Sequence, residues 1–452
     1  MIRQIRSLAD RFLPRGALVL AVLSFAYFAM GLVRNRVFAQ TFGAGAELDA
    51  YNAAIRVPEI ALDVLVAAGL TAPFVPIFSA LRREDESQAN QFGRTVLTAA
   101  TLVIAVALTV LFVLAPVVAD RAVSGFDQAG RALYVDLMRI NCIGQVFFAA
   151  SICLGEVLVA HRRFAFYALA PIFYTGGIVV ATILFGHQYG VYATTWGGVA
   201  GALAHLGVRA IGTTRTSFRI GPAFAIRTPA FREFVRLMLP RMVSFPIEPL
   251  MFTLFASLAS QLGSGSVSSL NFASDFQVVP VSLIGVSFSL AVFPTLSATF
   301  AAGNRGAFQS TLVRNVVTIG VLTTVAAVAL FVLGEFGIRL LLGGGRFSEA
   351  DVARTSLVLA AFALSVPFDS LSYPLSRGLY ATRNTLLQVI ASFVGFGTIV
   401  VAATVFVPTA GIVAIPLAYA AGSAIKVVLL TIFLVPRVRR IPALAGEELA
   451  TG

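Results

Sequence analysis

Apolar runs of about 20 residues recur along the chain, a length that crosses the bilayer core as a helix. They fall at 16–38, 57–81, 95–118, 133–158, 164–186, 190–211, 234–261, 267–299, 312–336, 353–376, 386–407 and 410–435. The pattern predicts an all-α polytopic membrane protein of twelve helices. Pro58, Pro73 and Pro76 interrupt the second run, and Pro280 and Pro294 the eighth. Membranes tolerate broken helices where the freed backbone groups line a cavity or pack on protein.

The two halves of the chain resemble each other at an offset of about 220 residues. Gly43-Ala44-Gly45 matches Gly263-Ser264-Gly265, and Phe74-Val75-Pro76 matches Val292-Phe293-Pro294. Arg94 matches Arg314, and Ala160-His161-Arg162 matches Ala381-Thr382-Arg383. The expected organisation is an N-terminal six-helix lobe at 1–211, a cytoplasmic linker at 212–230, a C-terminal six-helix lobe at 231–440 and a tail at 441–452. Six spans return the chain to its starting side, so both copies insert in the same sense. Their symmetry axis then lies along the membrane normal. Two such lobes enclose a cleft, and rocking them opens it alternately to either side, which predicts a transporter.

Composition agrees. Hydrophobic residues make up 58% of the chain and charged residues 12%, against about 25% charged in soluble domains. The net charge is +12, and Lys426 is the single lysine. The arginines cluster between spans, as at Arg82 and Arg83, Arg162 and Arg163, Arg215 to Arg236, and Arg437 to Arg440. All of these fall on one side of a twelve-helix arrangement, which predicts cytoplasmic termini in an inner membrane. Arg339 and Arg346 are exceptions on the outer side. Basicity placed at headgroup depth points to membrane lipids as partners, not nucleic acid. The basic segment from Arg3 to Arg15 reads as a cytoplasmic tail ahead of the first helix. Cys142 and Cys153 read as small apolar core residues. No nucleophile elbow, metalloprotease motif or phosphate-binding loop is present, so no enzyme, cofactor or metal is expected.

Charges inside spans cost at least about 2.5 kcal/mol at the bilayer centre unless paired or wet. Arg34, Arg36 and Arg56 surround the turn between the first two helices, with Asp49 between them. Guanidinium forks bind phosphate bidentately and keep their charge in a low dielectric. These arginines are therefore candidates for an anionic headgroup, with Asp49 orienting one of them. A structural pair of Arg34 or Arg56 with Asp49 is the alternative. Asp275 and Glu248 are candidates for ion pairing across the cleft, or for a coupling cation. Asp136 and Arg139 stand one turn apart, the spacing of an intrahelical pair. His205 reads as a satisfied core imidazole, and Phe38, Tyr51 and Phe74 as packing.

Residues 31–60, running through Phe42 to Gly45, Asp49, Arg56 and Pro58, resemble the N-terminal signature of the MviN/MurJ family of lipid II flippases. PFVPIFSAL (73–81), SGSVSSLNFASDFQVVP (264–280), GGRFSEADV (344–352) and RGLYATRNT (377–385) extend the resemblance in order. It implies the fold of the multidrug/oligosaccharidyl-lipid/polysaccharide exporters. It also implies movement of a lipid-linked peptidoglycan pyrophosphate between leaflets. The chain departs from the family pattern at three places where basic residues are expected, Phe28, Leu62 and Asp275. It also shows twelve spans where members commonly carry two more. A flippase for another polyprenyl-linked glycan, a cation-coupled exporter of the same superfamily and a non-transporting membrane partner therefore stay open.

Overall fold

The computed structural model describes residues 15–244 and 247–441; side chains at 15–21, 67–69, 71–72, 240–244 and 247–248 are not described. Arg3, Arg6 and Arg11 of the basic N-terminus, and the tail 442–452, lie outside the described residues. The described chain makes twelve helical passages, in the order that the apolar runs predict.

The first passage is α1 (Arg15–Phe42). The second is broken into α2 (Ala46–Ala54), α3 (Arg56–Leu62), a π-helical segment (Asp63–Ala67) and α4 (Ala68–Glu84). Then come α5 (Glu86–Ala122), α6 (Gln128–Ala160), α7 (Phe164–Tyr189) and α8 (Val191–Thr213). The seventh passage holds α9 (Pro229–Ser244) and α10 (Ile247–Ser260). The eighth holds α11 (Ser266–Pro280), a second π-helical segment (Val281–Val286) and α12 (Ser287–Ala301). The remainder are α13 (Arg305–Leu341), α14 (Glu349–Ala363) with α15 (Val366–Ala381), α16 (Leu386–Ala410) and α17 (Ala414–Arg439).

Seven helical stretches among the described residues are long and apolar enough to cross a membrane. Their burial is inverted relative to a soluble protein. Val325, Val328, Phe331 and Val332 of α13 are exposed, while Thr323 is fully buried and bonds to the Ile319 carbonyl at 2.7 Å. Lipid accepts the apolar face, so small polar side chains and glycines can take the helix–helix contacts. The crossing of α7 and α8 shows this. Gly197 and Gly201 of α8 meet Gly177 and the Tyr174 backbone of α7, and a Cβ on Gly177 would stand 2.6 Å from the Gly201 Cα.

The internal repeat is written in the backbone. The π-helical segments begin at Asp63 and Val281, 218 residues apart. Pro76 in α4 and Pro294 in α12 keep the same offset. Asp85 caps α5 by accepting from Ser87 N, and Asn304 caps α13 by accepting from Ala307 N. Arg162 (φ 56°) and Arg383 (φ 57°) are the two non-glycine residues with positive φ among the described residues. Each closes a Schellman turn, with Arg163 N donating to Leu158 O at 2.8 Å and Asn384 N to Leu379 O at 3.0 Å.

The chain divides into two compact units, Met1–Thr253 with Gly344–Phe347, and Leu254–Gly343 with Ser348–Gly452. In the first, Phe74 stacks on Phe78 and Phe92, with ring centroids 5.4 and 5.5 Å away. An irregular strap at 214–228 follows α8 and lies along the start of α5. Arg94 donates to Gly221 O and Pro222 O, while Thr98 and Thr95 hydroxyls accept from Ala223 N and Ala225 N. Bonding the strap's polar backbone to α5 lets Phe224, 70% exposed, face outward at low cost. The second unit's core gathers Leu296, Phe308, Leu312, Leu379, Leu430 and Leu434.

Candidate substrate-binding site

The turn joining α1 to α2 needs glycine. Gly43 has φ 66°, and a Cβ there would collide with the carbonyl oxygen of Arg346, whose amide donates to Gln40 O at 2.9 Å. This turn sends α2 back along α1. Tyr51 thereby lands edge-on to Phe38, with centroids 5.3 Å apart. Arg34, one helical turn before Phe38, places its Cζ 5.9 Å from that ring. Its fork is held by Asn35 Oδ1, at 3.2 Å from Nε and 2.9 Å from Nη2.

Arg34 is half-buried and lies within electrostatic reach of the Tyr51 hydroxyl, as does Glu59 of α3. Tyr174 of α7 feels the same two charges and Tyr51 itself. Arg34 and Glu59 therefore act electrostatically on the same two phenols, Tyr51 and Tyr174, within the first unit. Arg56 opens α3, with Nη1 3.5 Å from Glu59 Oε2 and Cζ 5.4 Å from the Phe252 ring. Ion pairs this exposed contribute about 0–1 kcal/mol, so Glu59 orients Arg56 more than it stabilises the fold. Asp63 starts the π-helical segment one turn beyond Glu59. Arg36 turns to Gln40, whose amide oxygen accepts from Nε at 3.2 Å and Nη2 at 3.0 Å. Asp49 is buried in the first turn of α2.

Arg34, Arg36, Arg56 and Asp49 thus share one unit and one pair of passages. Glu248 lies in α10 with its side chain outside the described residues. Asp275 belongs to the second unit and is exposed on α11. Tyr51, expected as packing, and Tyr174 are the members of the cluster that sequence reasoning missed, whereas Glu59 stands among the charges it found in the first two spans. The spacing Arg56–Glu59–Asp63 was a legible signal for Glu59. Nothing local marks Tyr174, which arrives from a distant helix.

One expectation is corrected. Asp136 and Arg139 do not pair: Asp136 Oδ2 accepts from Tyr192 OH at 2.9 Å, and Arg139 donates to Phe112 O at 3.2 Å with its Cζ 5.2 Å from that ring. The neighbouring helices α8 and α5 supply each with a closer partner than its neighbour one turn away. Leu62, at a position where the family pattern expects a basic residue, is 5% exposed within the apolar core. Phe28 is 47% exposed.

Other in-span charges are neutralised locally. Arg209 donates to Ser151 O at 2.9 Å, lies 4.8 Å from the Tyr167 ring and feels Glu156. His205 Nδ1 is 2.7 Å from Ser151 Oγ, so a buried serine satisfies the core imidazole. In the second unit Asp369 of α15 accepts from Tyr419 OH at 2.8 Å and Gln277 Nε2 at 3.4 Å, within electrostatic reach of Lys426.

The model of the family described as "Lipid II flippase MurJ" matches residues 38–447. The chain belongs to the MurJ family. A lipid II flippase MurJ of Burkholderia cenocepacia is 25% identical over 415 residues, covering 88% of this chain and 79% of that protein. A probable lipid II flippase MurJ of Bdellovibrio bacteriovorus is 28% identical over 412 residues, covering 89% and 78%. Among solved structures, a lipid II flippase MurJ in an inward closed conformation superposes with a TM-score of 0.81 at 23% identity, covering 94% of this chain and 90% of that one. An inward-facing MATE family transporter gives 0.78 at 12% identity, covering 92% and 95%. MurJ membership makes this a multi-pass inner-membrane transporter of bacteria rather than an enzyme.

Proposed function

We propose that the protein flips lipid II, a lipid-linked peptidoglycan precursor, across the cytoplasmic membrane by alternating access. The observation that carries this reading is Arg34, half-buried against the Phe38–Tyr51 ring pair and within electrostatic reach of the Tyr51 and Tyr174 phenols, in a chain of the MurJ family. A guanidinium fork and two phenolic donors suit a pyrophosphate, because each supplies N–H or O–H groups to its oxygens. Arg56, and more peripherally Arg36, add positive charge; Asp49, Asp275 and Glu248 orient or pair with arginines. Two lobes, 1–211 and 231–440, rock about the linker 212–230, with both termini cytoplasmic.

The departures at Phe28, Leu62 and Asp275 favour testing other polyprenyl-linked glycans beside lipid II. The Asp369–Tyr419–Gln277 cluster near Lys426 supports a second reading, in which a coupling cation or proton acts in the second unit. The experiment is complementation of flippase-depleted cells, scored by lipid II in the outer leaflet. Wild-type protein restores it, Arg34→Gln fails at equal expression, and Asp369→Asn slows transport without abolishing headgroup binding. A well-expressed wild-type chain that leaves lipid II inside removes this substrate, and an active Arg34→Gln removes the site.

A further inference from the structure

The second unit carries a groove of about 340 Å³ that the transport reading does not use. Its floor is α15, through Leu375, and its walls are α13, through Leu312, and α17, through Leu434. Both wall helices pack extensively on α15 and hardly on each other, which leaves the gap. Arg305, in the first turn of α13, and Arg439, in the last turn of α17, stand at its mouth. Neither has a carboxylate partner among the described residues. Two uncompensated guanidiniums over an aliphatic slot at one end of membrane helices match the two ends of an anionic lipid.

The internal repeat sharpens the point. In the first unit the matching flank of α5 is covered by the strap, where Phe218 packs against Gly93 so tightly that a Cβ there would stand 2.7 Å from its ring. Val313, the residue 220 positions after Gly93, is 51% exposed in the groove. The volume lies in the range of about 300–1,000 Å³ typical of ligand clefts.

We propose that this groove is a binding site for an anionic phospholipid of the bilayer, with an acyl chain between α13 and α17 and the phosphate between Arg305 and Arg439. The site is independent of the lipid-linked substrate and of Arg34. Bound there, the lipid wedges α13 and α17 apart on α15, the helix that also carries Asp369.

The test uses the full chain in proteoliposomes containing a trace of phosphatidylglycerol, or of phosphatidylcholine, with a diazirine in the acyl chain. Adducts are mapped by peptide mass spectrometry. Surface electrostatics contributes roughly fivefold per arginine and about thirtyfold for the pair. Phosphatidylglycerol is therefore expected to label 305–316 and 427–438 far more than phosphatidylcholine does. Arg305→Ala/Arg439→Ala reduces that preference to near parity, and Thr431→Trp, which fills the slot from an exposed position, removes labelling by both lipids. Arg82→Ala/Arg83→Ala, at another basic turn, leaves the preference intact. Equal labelling by the two lipids, or a preference that survives loss of both arginines, overturns the proposal. So does a preference seen only after residues 442–452 are removed, because that segment would then be the occupant.

Discussion

Gly201→Ala tests whether the crossing of α7 and α8 positions the site. A Cβ on Gly201 would fall on the Tyr174 carbonyl oxygen and stand 3.1 Å from both its C and Cα. The obstacle is backbone, so no rotamer change relieves it. Carbon-to-oxygen contacts between helices settle at about 3.3–3.6 Å, so the helices must separate by about 1 Å. Overpacking of this kind costs about 1–3 kcal/mol, partly offset by the gain of about 1 kcal/mol for Gly→Ala in a helix. Gly207, on the same helix, has nothing within 4 Å of the corresponding position. Gly207→Ala should therefore be neutral or stabilising by about 1 kcal/mol, leaving the two variants about 1–3 kcal/mol apart. Thermal unfolding of the purified protein measures the difference, and flipping assays report the shift of Tyr174 away from Arg34. Equal stability of the two variants would refute the close-packed crossing and the route by which α8 positions Tyr174.

Arg162→Gly should raise stability by about 1 kcal/mol, because glycine adopts the left-handed conformation without the Cβ penalty; Arg383→Gly should do the same in the second repeat, and a fall in melting temperature for both would contradict the turn assignment. His161, in the turn after α6, is held below its ordinary value of 6.5, chiefly by burial and also by Arg82 and Arg163. The unfolded chain then binds the proton more readily, so stability is full above about pH 6.5 and falls as pH drops toward the lowered value. His161→Asn should flatten that dependence between about pH 7.5 and 5.5 in thermal unfolding, and an unchanged slope would exclude His161 as its source.

The twelve apolar runs, the repeat and the arginine placement were legible along the chain. Each reflects a one-dimensional rule: a helix long enough for the bilayer, a duplicated pattern, a charge kept at the interface. The repeat was legible down to Arg162 and Arg383, because turn geometry is local. Arg34, Arg36, Asp49 and Arg56 could be nominated for the same reason, as charges crowded into an apolar stretch around a glycine turn. What composes the site could not be read this way. Tyr174 joins Arg34 only because Gly177, Gly197 and Gly201 let α7 and α8 approach backbone to backbone. Asp136 and Arg139 abandon each other because Tyr192 and Phe112 stand closer. Partners far apart along the chain are chosen by packing in three dimensions, where steric fit decides among contacts that the sequence leaves equally open.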